Sequence, residues 1–212
     1  SSIKLNVLRG GVQDIGTLQN LEQINLTLSE VPDVRAPTLV SQAINYDTGI
    51  LSLTFSETID VTPSSLVVPG SIFIGQTANL VGSVQLTENT TTTDNSVTLS
   101  FPLTEIQRSA AIKFSAFTSY YSATASDPAI LRVHGNLSFV DLSGNKFNKN
   151  QNLIAVALSE TADITPPNIL SCALNYSTGV ITVTFSEIVN FDGTSDGSDG
   201  VVNGELHLDK IF

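Results

Sequence analysis

Apolar and polar residues alternate along much of this chain in short runs. In residues 50–56, Leu51, Leu53 and Phe55 alternate with Ser52, Thr54 and Ser56, the period of a strand with one buried face. Comparable β-rich runs lie at 38–46, 66–74, 80–87, 96–101, 130–140 and 153–159. They are bounded by turn residues: Asp47-Thr48-Gly49, Pro69-Gly70, Thr92 to Asn95, and Gly144-Asn145. Gly49 can take a positive φ, which predicts a hairpin between the first two runs. Seven short strands with polar turns predict an all-β, antiparallel β-sandwich. One stretch breaks the pattern. Thr104 with Gln107 three residues on is a capping-box signature and predicts a short inserted helix running to Ile112.

The pattern repeats. Residues 28–57 read LSEVPDVRAPTLVSQAINYDTGILSLTFSE and residues 158–187 read LSETADITPPNILSCALNYSTGVITVTFSE, an ungapped match at an offset of 130. Identities include Asp33/Asp163, Pro37/Pro167, Asn45-Tyr46/Asn175-Tyr176, Thr48-Gly49/Thr178-Gly179 and the Thr-Phe-Ser-Glu ending at Glu57 and Glu187. A fainter echo relates Val12-Gln13-Asp14-Ile15-Gly16 to Val140-Asp141-Leu142-Ser143-Gly144. The expected organisation is the C-terminal part of a repeat in residues 1–32, a complete repeat in 33–162 and the N-terminal part of another in 163–212, a window on a longer tandem array. Prolines in the linkers, Pro37 and Pro166-Pro167, stiffen the joints between repeats.

These motifs (Asp-x-x-x-Pro, a strand, Asn-Tyr-x-Thr-Gly, a strand ending Thr-Phe-Ser-Glu, and a late Asp-x-x-Gly-Asn) resemble the immunoglobulin-like and cadherin-like tandem repeats of large extracellular surface proteins. Such repeats occur in bacterial adhesins and in microalgal and protist mastigoneme-type proteins. The resemblance implies immunoglobulin-like sandwiches in series, a cell-surface or appendage location, and calcium at the junctions. The first copy departs from it, since Asp14-Ile15-Gly16-Thr17 lacks the asparagine.

Composition narrows the function classes. Nine Lys and Arg against 20 Asp and Glu give a net charge of −11. Such a chain repels phosphate, so no nucleic acid is expected as a partner. No apolar run is long enough for a membrane span. One Cys and two His cannot build an all-nitrogen-and-sulfur zinc site.

Strand polarity gives the acids a place. If the linker enters above the first strand of the complete repeat, the second strand returns Glu57 to that end. The Asp141 loop also lies there, with Glu30 and Asp33 arriving from the preceding copy. Four carboxylates at one joint repel unless a cation neutralises them, and a hard, oxygen-seeking ion such as calcium fits. Glu30, Asp33, Glu57 and Asp141 are therefore candidate interdomain calcium ligands, with Glu160, Asp163 and Glu187 at the equivalent next junction. The competing reading gives Glu57 to linker N–H groups and Asp141 to its own turn. The segment 192–200 (DGTSDGSDG) is an acidic loop with weak cation binding as its alternative.

Four Asn-x-Ser/Thr sequons, at Asn25, Asn89, Asn136 and Asn175, are about as many as chance gives in so Asn- and Ser/Thr-rich a chain. Asn89, beside the Thr90 to Thr93 run, is the best-placed acceptor, and Asn175 follows. Cys172 aligns with Gln42 and reads as an inert thiol. His134 and His207 have no partner constellation. No nucleophile elbow, phosphate loop or dinucleotide fingerprint is present.

The expected protein is therefore not an enzyme but a structural module of an extracellular fibre, stalk or filament, partnered by neighbouring repeats, copies of itself or other fibre proteins. The alternative is an adhesin repeat that binds a glycan or partner protein directly, for which Tyr120-Tyr121 is the one clustered aromatic pair on an expected loop.

Overall fold

Alternating side chains shape both units into which the chain divides, residues 1–35 and 36–212. The computed structural model describes residues 2–76, 82–117, 127–133, 139–147 and 154–189. Tyr120, Tyr121, His134, Asn136, the segment 192–200 and His207 lie outside the described residues.

In the first unit, β1 (Lys4–Val7) and β2 (Gln23–Thr27) pair antiparallel. Between them, the Asp14 carboxylate accepts the Leu18 N–H and the Asp14 carbonyl accepts that of Thr17, which sits at φ 69°. Asp141 closes a loop of the same form in the second unit. There the N–H of Asn145 meets the carboxylate and that of Gly144 meets the carbonyl, with Gly144 at φ 84°. After β2, Leu28 donates its N–H to the Ile3 carbonyl, and the Ile3 N–H is donated to Glu30 Oε1 at 2.8 Å.

The second unit holds β3 (Leu39–Asn45), β4 (Ile50–Ile59), β5 (Ile72–Gly75), β6 (Val84–Gln85), β7 (Ser96–Pro102), α1 (Glu105–Ile112), β8 (Ile130–Val133), β9 (Ile154–Ala157), β10 (Ser159–Thr161), β11 (Ile169–Asn175) and β12 (Val180–Phe185). One sheet runs β10-β3-β4-β7 and a second runs β6-β5-β8-β9. The alternation seen in β4 buries Leu51, Leu53 and Phe55, and both sheets feed one apolar cluster that takes in Leu99, Ile74 and Leu131. Each such side chain contributes about 1.5–3 kcal/mol when fully buried. Phe55, Phe139 and Phe147 meet at centroid distances of 4.8–5.7 Å, in tilted and edge-to-face contacts that aromatic quadrupoles favour. The protein is an all-β fold with few helical residues.

Three features differ from the sequence reading. First, β10 joins β3 in parallel, not antiparallel. Leu158 is buried between β9 and β10 as the chain changes sheets, and β10 then follows β3 towards Tyr46, whose N–H meets the Thr161 carbonyl. Second, the run expected at 66–74 is a strand only from Ile72. Ser64–Leu66 and Pro69–Ser71 are 3-10 turns, since Pro69 has no N–H for a ladder. Third, of the run expected at 80–87, the described residues form a strand only at Val84–Gln85; in the run expected at 130–140, β8 covers Ile130–Val133 and residues 134–138 lie outside the described residues.

β11 and β12 form a separate two-stranded sheet. Their register, Ile169↔Phe185 through Asn175↔Val180 with one irregularity after Ile169, reproduces that of β3 and β4, Leu39↔Phe55 through Asn45↔Ile50. Gly49 and Gly179 both turn at positive φ, 66° and 69°, so the shared Thr-Gly is a backbone requirement.

Candidate functional site

The joint between the β3–β10 fold and the following hairpin is built around the inserted helix. Thr104 caps α1. Its Oγ1 accepts the Gln107 N–H, while Gln107 Oε1 accepts the Thr104 N–H. The buried Gln107 amide also donates to the Gln85 carbonyl at 2.7 Å, fastening the helix beside β6. This fixes the next residue, Arg108, whose side chain is 11% exposed.

Arg108 has five N–H donors, and five hydrogen bonds leave it. Nε and Nη2 fork onto the Glu105 carboxylate at 2.7 and 3.0 Å. Nη1 donates to the Tyr46 carbonyl at 3.0 Å and to Asp163 Oδ2 at 2.5 Å. Nη2 also reaches Glu187 Oε2 at 2.6 Å. One guanidinium thereby ties the helix, the end of β3, the linker and the strand end after β12. The planar fork suits this task better than an ammonium would.

Hydrogen bonding to the Glu105 carboxylate, and then to that of Glu187, holds the Arg108 guanidinium above its ordinary pKa against the opposing cost of burial. The Arg108 hydrogen bond lowers the Glu105 carboxyl, helped by the Ile188 N–H donated to Glu105 Oε1 at 3.0 Å. Beside it, Asp47 Oδ1 accepts the Thr165 hydroxyl at 2.7 Å and the Ile164 N–H at 3.3 Å, which lowers the Asp47 carboxyl.

A second hub stands one residue earlier. Tyr46 is 1% exposed and donates its hydroxyl to Glu160 Oε1 at 2.6 Å. Glu160 also accepts the N–H groups of Ala129 and Ala116. Burial, and then Glu160, push the Tyr46 phenol up.

The expected ligand sets fall out differently. Asp163 and Glu187 meet on Arg108, whereas Glu160 is committed to Tyr46 and two backbone donors. These three do not assemble as a carboxylate cage, because a guanidinium and a phenol already satisfy them. In the second unit, Glu57 and Asp141 offer carboxylate oxygens within 4.8 Å of each other. Asp141 Oδ1 accepts the Ser143 and Asn145 N–H groups and Oδ2 accepts the Asn145 side-chain amide, all at 2.8 Å. In the first unit, Glu30 takes the Ile3 N–H and Asp33 Oδ1 takes the Arg35 N–H at 2.9 Å.

Of the sequons, Asn25 lies on β2 at φ 61°, and Asn89 is exposed. Asn175 ends β11, where its Oδ1 accepts the Ser177 and Thr178 N–H groups. Cys172 is an exposed free thiol on β11. No helix among the described residues is long and apolar enough to cross a membrane.

Arg108 is the functional residue that reading the sequence missed. Its signal was present: an Arg three residues after Glu105, on the one predicted helix of a chain with only nine Lys and Arg.

No protein-family model and no curated protein matches the chain. Among solved structures it is similar to the S-layer protein rSbsC(31-844), at 16% identity and a TM-score of 0.35, over 71% of this chain and 18% of that one. It is also similar to the N-terminal part of the bacterial S-layer protein SbsC, at 14% identity and a TM-score of 0.34, over 71% of this chain and 31% of that one. The chain thus spans under a third of either neighbour, and scores this low do not establish a shared fold.

Proposed function

We propose that this chain is a non-enzymatic structural module of a cell-surface protein, in which immunoglobulin-like sandwiches follow one another in tandem and each joint is locked by side chains. The observation that carries the reading is Arg108, which binds Asp163 and Glu187. Both acids lie in the window that repeats residues 28–57, so the contact joins one copy of the motif to the next. A hydrogen-bonded guanidinium, not a flexible tether, then fixes the angle between copies. The proline linkers and the acidic surface fit a spacer held in water.

The reading includes two finer parts. Calcium is proposed at the earlier joint, on Glu57 and Asp141, and what supports it is the approach of their oxygens. The expectation that Glu30 and Asp33 join them concerns the joint between the two units and stays part of that proposal. Glycan attachment is proposed at Asn89, on its exposure.

The mass of the native polypeptide, extracted under denaturing conditions, tests the tandem reading. A mass far above 22.5 kDa is expected. A mass near that value overturns the array.

A further inference from the structure

We propose that β3 and β10 form a mechanical clamp, which holds this fold closed when the chain is pulled along its length. The inference rests on the structural-module reading and names the path that tension takes through one module.

The chain enters the β10-β3-β4-β7 sheet at β3 and leaves it at β10, and these two strands are parallel neighbours. Ser159, Glu160 and Thr161 pair with Ala43, Ile44 and Asn45. A parallel pair puts the start of β3 and the end of β10 at opposite poles of the sheet. Tension on the two flanking segments, 33–37 and 162–167, therefore drives the strands past each other along their own axes. The bonds between them are loaded together, in shear. Had β10 run antiparallel to β3, its exit would lie beside the entry to β3, and the same tension would open the bonds one by one.

The seam carries more than its ladder. Just before β10, the Gln42 side-chain amide donates to the Ala157 carbonyl at 2.7 Å. Within it, the Tyr46 hydroxyl donates to Glu160 Oε1 at 2.6 Å. At its end, the Tyr46 N–H meets the Thr161 carbonyl, and Arg108 Nη1 bridges the Tyr46 carbonyl to Asp163. Tyr46 is thus held to the departing chain through its hydroxyl, its N–H and its carbonyl, while its ring is enclosed at 1% exposure. A hydrogen bond to a carboxylate in such a setting is among the stronger kinds.

β3 is fastened more extensively on its other side. It pairs with β4 from Leu39↔Phe55 to Asn45↔Ile50. The Thr38 carbonyl also accepts the Ser56 N–H, and Ser56 Oγ accepts the Thr38 N–H at 3.0 Å. The shorter β3–β10 seam is therefore the one that yields first.

Optical-tweezers pulling on the 212-residue chain tests this, with DNA handles on introduced cysteines in a Cys172→Ser background. Handles at the exposed Val34→Cys and Ile164→Cys load the seam in shear. Handles at the exposed Thr48→Cys and at Ile164→Cys peel β10 from its Tyr46 end. At one fixed force, the folded lifetime is expected to be at least about tenfold longer in shear than in peeling, since forced unfolding is governed by the unfolding rate. Tyr46→Phe, which removes the bond to Glu160, is expected to shorten the shear lifetime about tenfold. Ile74→Val trims the shared core and should shorten it less than about twofold, because that core is still packed when β10 leaves. A shear lifetime no longer than the peeling one overturns the proposal. So do equal effects of the two substitutions, which would make the barrier global unfolding and Tyr46 only one stabilising residue among many. The clamp and the tandem array fail separately. A short shear lifetime sinks the clamp at any native mass, and a native mass near 22.5 kDa sinks the array even where the shear lifetime is long.

Discussion

Arg108 Nη2 lies 2.6 Å from Glu187 Oε2 across 79 positions of sequence, and this ion pair locks a helix of one β fold to the strand end of the hairpin that follows. The Arg108 and Glu187 side chains are 11% and 13% exposed. A pair so enclosed is costly to break from one side, because the abandoned charge stays desolvated.

Arg108→Ala is accordingly expected to destabilise the second unit by about 3 kcal/mol, in the range for removing one partner of a buried pair. It should also loosen the joint. Spin labels at the exposed Val97 and Val180, in a Cys172→Ser background, should show a broader distance distribution than in the parent. Arg108→Lys should restore the charge without the tightness, since an ammonium cannot fork onto Glu105 and reach Asp163 and Glu187 together. A narrow distribution in Arg108→Ala would mean that the linker, not the guanidinium, sets the angle.

Tyr46 and Tyr176 occupy equivalent positions in opposite surroundings, which makes them a matched pair. Tyr46→Phe removes the hydroxyl given to Glu160 inside the fold and is expected to cost about 1–3 kcal/mol in chemical denaturation. Tyr176→Phe should change stability by less than about 0.5 kcal/mol, as exposed substitutions do. Equal effects would contradict the difference between a buried and an exposed tyrosine.

Local signals were legible where the backbone decides them. Gly49 and Gly179 marked the hairpin turns, Thr104 and Gln107 marked the helix start, and alternation around Leu51 to Phe55 marked a strand with one face inward. Of the acids the repeat groups at the later junction, Asp163 and Glu187 both accept from Arg108. What periodicity could not show was which cation they meet. Arg108 reaches them because Gln107 pins α1 against β6 and Thr104 caps it, a tertiary placement no spacing encodes. Glu160 lies on β10, which runs parallel to β3 and carries it to the Tyr46 hydroxyl, a partner that spacing along the chain does not encode.

The joint is also expected to weaken in acid. Glu105 and Asp47 both have carboxyls lowered in the fold, from ordinary values of 4.5 and 3.8. A group lowered by folding binds protons more readily when unfolded, so its stabilisation is complete above the ordinary value and is lost as pH falls through the folded one. The label distances between Val97 and Val180 should therefore stay narrow above about pH 5 and broaden below about pH 4. In Arg108→Ala, which lacks the main cause of the Glu105 shift, that broadening should be present already at neutral pH. An unchanged distribution down to pH 2 would assign the joint to apolar contacts instead.

The proposed calcium site can be tested apart from the Arg108 cluster. Glu57 and Asp141 of the second unit offer oxygens within 4.8 Å of each other, and a cation would relieve their repulsion. Asp163 and Glu187, by contrast, are already paired with Arg108. Titrating calcium into the chelator-treated chain should raise its melting temperature with an affinity of about 0.1–1 mM, the range of extracellular modules. Glu57→Gln should abolish the rise, and Glu187→Gln should lower the starting temperature but leave the rise intact. Asp141→Asn is the less clean probe, since the loop depends on its three accepted hydrogen bonds. Should calcium leave the melting temperature unmoved, those loop donors are sufficient for Asp141, and the calcium proposal falls.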